Sequence, residues 1–264
     1  MRPLASRFLL WRFPAAVAVA ATIVFAAGFW LALRGASGAP LGAPPGSPPP
    51  ATKPTLPTSG RILLVLGDSL ARGTGGESGR GFAREVLEGL KRRGAAEIAN
   101  LAVNGAESDE VRELVSHENV RTLAANAGWI LVSAGGNDLS HAVPRAADGP
   151  AAPVESVTRA RDRFAGNLRE ILDALRAANP RAPIRVLGLY DPFEGPDPAA
   201  RLGASVVARW NGVAQEVTLE YPDVVLVATF DLFEGRPDRL ALDHFHPNRE
   251  GYSAIAARVL QTIP

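Results

Sequence analysis

The chain has no cysteine among its 264 residues. That excludes disulfides, zinc–thiolate sites, thiol nucleophiles and lipid attachment to an N-terminal cysteine, and it leaves the compartment open. Net charge is also scarce, at +1 from 28 basic and 27 acidic residues, with the arginines scattered rather than set in a stripe with aromatics. No global field recruits nucleic acid, which is therefore not an expected partner. Apolar material is plentiful: 47% of residues are hydrophobic against 21% charged, enough for a buried core and too much for wholesale disorder. At roughly 100–200 residues per domain, one globular domain plus accessory segments accounts for the length.

Charge is missing altogether from Phe13 to Leu33, a run preceded by Arg2, Arg7 and Arg12 and followed by Arg34. A helix of that length spans about 30 Å, the thickness of the hydrocarbon core, whereas a secretory h-region is usually only ~7–15 residues. Residues 1–34 are therefore expected to be a single-pass inner-membrane anchor. The arginines hold its N-terminus in the cytoplasm, with all that follows in the periplasm or outside the cell. The small residues Ala36-Ser37-Gly38 keep a cleaved signal peptide, and hence a secreted product, as the alternative. Residues 35–60 are rich in Pro, Gly and Ala, including Pro48-Pro49-Pro50, and read as an extended, semi-rigid tether. The folded domain is expected over 61–264.

Within it, apolar runs alternate with helical patterns, as in a parallel α/β fold. Strands are expected at Ile62–Leu66, Ile98–Leu101, Trp129–Val132, Ile184–Leu189 and Val224–Val227, and their near-continuous hydrophobicity suits a sheet covered on both faces. Helical spacing marks Phe82–Arg93, Ala160–Ala178, Ala204–Glu220 and a C-terminal helix, Asn248–Thr262.

Chemistry-bearing residues follow the strand ends. The first strand closes in Gly67-Asp68-Ser69-Leu70, the second in Asn100-Leu101-Ala102-Val103-Asn104-Gly105, and the third in Gly135-Gly136-Asn137-Asp138. Asp243-His244-Phe245-His246-Pro247-Asn248 precedes the last helix. In parallel sheets, ligands bind beyond the carboxyl ends of the strands, which is where Ser69 stands. Taken singly, Ser69 is equally a helix cap, Gly105 a turn glycine and Asn137 a turn former. Together and in this order, the four blocks resemble the SGNH, or GDSL, hydrolase family from about Arg61 onward, and most loosely its bacterial lipase- or lysophospholipase-like members.

The resemblance implies a three-layer α/β/α sandwich around a five-stranded parallel sheet of order 2-1-3-4-5. It also implies a carboxylic ester hydrolase working through an acyl-serine, with no cofactor and no metal. Ser69 is then the nucleophile, and His246 the base that a weakly nucleophilic hydroxyl needs. Asp243 is the carboxylate that fixes the imidazole tautomer. The oxyanion donors implied are the backbone N–H groups of Ser69 and Gly105 and the side-chain amide of Asn137. The expected partner is an acyl ester, of a lipid or an acylated glycan. An acyltransferase or a carbohydrate deacetylase with the same triad remains an alternative, and a binding module that kept the fold stands further off because no triad or oxyanion position is missing.

Other residues invite readings of their own. His244 neighbours the last block but falls outside its Asp-x-x-His spacing, and a metal reading of these histidines lacks further ligands. His117 and His141 are expected on the solvated surface. Asp68 fits either an ordering role in the serine loop or a solvated turn, and Asp138 is expected to start the next helix. The glycines after Ser69 lack the lysine of a phosphate-binding loop, and no Gly-x-Ser-x-Gly elbow is present. Ser140–Ser156 and Tyr190–Leu202 should rim the site.

Overall fold

The computed structural model describes residues 61–77, 80–95, 97–142, 152–192 and 198–263. The expected anchor and tether lie outside these residues, as do 143–151 and 193–197 of the two expected rim loops. Among the described residues no helix is long and apolar enough to cross a membrane.

Five strands, β1 (Ile62–Gly67), β2 (Glu97–Asn100), β3 (Ala127–Ser133), β4 (Ile184–Leu187) and β5 (Val224–Val227), form one sheet in the order β2-β1-β3-β4-β5. Every pairing is parallel. The helices are α1 (Ser69–Arg72), α2 (Phe82–Leu90), α3 (Ser108–Ser116), α4 (Glu118–Asn126), α5 (Gly136–Ala142), α6 (Ala152–Ala178), α7 (Pro198–Leu219), α8 (Phe230–Phe233) and α9 (Arg249–Thr262).

Side chains alternate across a strand, so each strand feeds two cores. Leu64, Leu66, Ile130, Val132, Ile184 and Val186 face α3, α4, α6 and α7. Leu63, Val65, Leu131, Leu187 and Val227 face α2 and α9. The buried stripe of α2, Phe82, Ala83, Val86, Leu87 and Leu90, recurs at helical spacing and packs with Tyr252, Ile255 and Val259 of α9. Truncating a core residue such as Leu90 to alanine costs about 2–5 kcal/mol.

One difference from the sequence reading has a local cause. The strand expected to reach Leu189 leaves the ladder at Leu187, because the Asn211 side-chain amide takes both the N–H (2.7 Å) and the C=O (2.8 Å) of Leu189. Arg185 interrupts β4 with a charge yet is 2% exposed. Its guanidinium donates to the Thr262 carbonyl at 2.6 Å and to the Asp223 carbonyl and carboxylate at 3.1 Å. Cationic donors suit the C-terminal end of a helix, so Arg185 fastens α9 to the sheet.

Candidate active site

At the end of β1, Asp68 caps α1 by accepting from the Leu70 N–H at 3.0 Å, and Ser69 is the first residue of that helix. Asp68 is buried and also accepts from Ser133 Oγ, at the end of β3, at 2.6 Å. Burial pushes its carboxyl up, with the bonds from Ser133 and backbone N–H groups opposing. Asp68 is thus the ordering residue of the serine loop rather than a solvated turn.

The loop before α9 approaches from the other end of the chain. Leu240 and Pro247 bridge its base, the Ala241 N–H donates to the His246 carbonyl at 2.8 Å, and the His244 N–H closes a turn onto the Ala241 carbonyl at 2.9 Å. Inside this frame Asp243 Oδ1 accepts the N–H groups of Phe245 (3.0 Å) and His246 (2.9 Å), while Oδ2 lies 2.6 Å from His246 Nδ1. His246 Nε2 lies 2.9 Å from Ser69 Oγ. A carboxylate only accepts, so Nδ1 carries the proton and Nε2 presents a lone pair to the hydroxyl. For Asp243, burial acts upward, but the His246 ring and the two backbone N–H groups outweigh it and bring the carboxyl down to about 2. His244 is exposed, at φ +54°, and the ring bonded to Ser69 is that of His246.

The remaining expected residues follow the strands flanking β1. After β2 the Ala106 N–H donates to the Val103 carbonyl at 3.2 Å, with Gly105 third in the turn at φ +80°. Positive φ at that position alone defines a type II turn, which asks for glycine, so the turn reading of Gly105 holds whatever else the residue does. Space above its Cα is open. Asn137, the second residue of α5, donates one amide hydrogen to the Ala106 carbonyl at 2.8 Å. That bond lays its side chain against the carbonyl of the residue after Gly105, and an amide nitrogen carries a second hydrogen. Asp138 does lie in the first turn of α5, but its carboxylate leaves that helix to take the Ser108 hydroxyl (2.5 Å) and N–H (2.9 Å) at the start of α3. His141 is exposed and pairs with Glu107.

Several residues that sequence reasoning passed over hold these pieces together. Asn100 donates to the Ala71 carbonyl at 2.8 Å and accepts from the Ala102 N–H at 3.0 Å. The Thr74 hydroxyl donates to Asn104 Oδ1 at 2.9 Å. Tyr190 and Tyr252 donate to the carbonyls of Phe245 and Thr74 at 2.7 and 2.6 Å. Asn100 at least opens a quoted block; the others carry no local signal. Among the described residues no cluster of three or more His, Asp or Glu side chains forms a metal site.

The GDSL-like lipase/acylhydrolase family model matches residues 65–254, well over half of the chain. Uncharacterized protein YpmR of Bacillus subtilis (strain 168) is 28% identical over 208 residues, covering 76% of this chain and 81% of its own. Spore germination lipase LipC of Bacillus licheniformis is 24% identical over 201 residues, covering 74% of this chain and 92% of its own. Among solved structures, the lipase Lip_vut3 from a goat rumen metagenome shares the fold with a TM-score of 0.66, at 23% identity over 76% of this chain and 97% of its own. With a hydroxyl, an imidazole and a carboxylate bonded in series at the strand ends and the family model spanning all but the edges of the domain, the chain belongs to the GDSL-like lipase/acylhydrolase family and is a carboxylic ester hydrolase that acts through a serine.

Proposed function

We propose that Ser69 is the nucleophile, His246 the general base and Asp243 its orienting carboxylate. The Ser69 and Gly105 N–H groups and the second hydrogen of the Asn137 amide receive the oxyanion. Ser69 Oγ attacks the ester carbonyl as His246 Nε2 takes its proton, and the tetrahedral oxyanion falls between the donors. Collapse expels the alcohol, protonated by His246, and leaves acyl-Ser69. Water then gives a proton to His246 and attacks the acyl carbon, releasing the carboxylic acid and restoring the serine. The observation that carries this reading is the 2.9 Å approach of His246 Nε2 to Ser69 Oγ together with the 2.6 Å bond to Asp243. A carboxyl held at about 2 stays ionised at any working pH and stabilises the imidazolium formed in each step.

The pair of single histidine variants tests the assignment on one activated ester. His246→Ala should abolish nearly all turnover and block labelling of Ser69 by a fluorophosphonate, whereas His244→Ala should keep most activity. A dead His244→Ala and an active His246→Ala would overturn it.

A curated relative and one solved structure are named lipases, which supports a lipid ester as substrate. An acetylxylan esterase from Geobacillus stearothermophilus shares the fold with a TM-score of 0.55 at 19% identity and supports an acylated glycan. The lipid ester is preferred because the curated relative carries that name. A panel of acyl esters graded by chain length tests that choice, and preference for acetylated sugars would reverse it. The uncharged run Phe13–Leu33 and the proline-rich stretch after it support a domain tethered outside the inner membrane. Carbonate extraction and protease accessibility on spheroplasts test the location, and a protein that is extracted and shielded would refute it.

A further inference from the structure

Ser69 and His246 stand 177 positions apart, so nothing local sets the distance between them. Asp243 orients the imidazole from three residues away, which fixes the ring within its own loop but not that loop against the serine. The arrangement needs outside support on both arms.

Two phenol hydroxyls are placed to give it. Tyr190, just beyond β4, donates to the carbonyl of Phe245, the residue immediately before His246, at 2.7 Å. Tyr252, in α9, donates at 2.6 Å to the carbonyl of Thr74, whose own N–H returns to the Ser69 carbonyl at 3.0 Å. Both rings are held by their neighbours. Tyr190 stacks on Phe233 with centroids 4.1 Å apart, and Tyr252 is fully buried beside Phe82 at 6.4 Å. Phenylalanine would fill either place as well, and burying a hydroxyl is unfavourable unless it is bonded. In each case the hydroxyl is spent on a loop that carries one half of the Ser69–His246 bond.

We propose that Tyr190 and Tyr252 are paired positioning residues, the first bracing the base loop and the second the nucleophile loop, that hold Ser69 Oγ and His246 Nε2 at reacting distance. Burial, with added push from the charges of Asp68 and Asp243, raises both phenol pKa values, so each hydroxyl remains a donor throughout the working range. The proposal rests on the roles given above to Ser69 and His246.

The test removes one oxygen at a time, in the full-length protein, with p-nitrophenyl acetate as substrate. Tyr190→Phe and Tyr252→Phe should each lower kcat by about 5–30-fold with KM little changed, because misplaced reacting groups slow chemistry without weakening capture. In a His246→Ala background the same changes should have no further effect on residual turnover, since the arm they align carries nothing there. A merely structural loss would appear in both backgrounds. Folded variants with wild-type kcat, or equal fractional losses with and without His246, would overturn the proposal. Should one variant not fold, the other carries the test alone. If His246→Ala itself retained full activity, the catalytic assignment rather than the bracing would have failed.

Discussion

Gly75 offers the sharpest perturbation of this site, because its backbone abuts the loop that carries His246. A Cβ built there would lie 2.7 Å from His246 Cβ, 2.8 Å from the Pro247 carbonyl oxygen and 3.2 Å from Ala241 Cβ. Carbon atoms settle at about 3.5–4.0 Å, so the base loop must retreat by roughly 0.8 Å or more. Carried to the ring, that retreat lengthens the 2.9 Å bond between His246 and Ser69 to about 3.7 Å, outside hydrogen-bonding range. A misplacement near 1 Å costs on the order of 100-fold in rate, and Gly75→Ala should therefore lose about that factor in kcat with KM nearly unchanged. Gly75 also sits at φ +86°, where a side chain adds roughly 1–2 kcal/mol of backbone strain. Gly94 supplies the control: its φ is +94° and nothing lies within 4 Å of its would-be Cβ. Gly94→Ala should thus show the smaller fall in urea midpoint that backbone strain alone brings, with turnover intact. The measurements are kcat on a soluble ester, the rate of fluorophosphonate labelling and the urea midpoint of both variants. A folded Gly75→Ala that turns over as fast as Gly94→Ala would refute the steric reasoning.

Asn137→Ala should lower kcat by ~100–1000-fold with little change in KM, since the second amide hydrogen matters once charge develops. The same variant gives up the bond to the Ala106 carbonyl and should lose about 1 kcal/mol of stability; an unchanged kcat in a folded variant would remove Asn137 from the oxyanion site. For Asp243, held at about 2 against an ordinary 3.8, the depressed carboxyl contributes stability above its unfolded value and loses it as pH falls toward the folded one. Urea midpoints of wild type and Asp243→Asn should accordingly differ near neutrality and converge as pH drops from about 4 to about 2, and a gap independent of pH would contradict the linkage.

The sheet was legible where its strands read as unbroken apolar runs: Ile62–Leu66, buried throughout, and Val224–Val227 needed no further context. Helices α3 and α4 were not. Each has nine residues, few of them apolar, and α3 starts from a capping box built on Glu107 and Glu110 rather than on serine or threonine. Their burial is decided by β1 and α6, which a local window does not contain. The same division runs through the site. Ser69, Asp243 and His246 fall in short blocks whose spacing carries meaning, and Asn137 shares a block with Asp138. Tyr190, Tyr252, Thr74 and Ser133 act on partners between 30 and 178 positions away, and no spacing betrays such a bond.

The distance along the chain between Ser69 and His246 also bears on when the enzyme comes into being. The serine is made near the start of the domain and the histidine one loop before the last helix, 177 residues later. At about 5–20 residues per second, roughly 10–35 s of synthesis separate them. Throughout that interval the hydroxyl is an ordinary alcohol with no base beside it. A growing chain therefore poses no hazard to the esters around the ribosome, since the hydroxyl proposed as the nucleophile is armed only once His246 has been made and its loop has folded against Ser69.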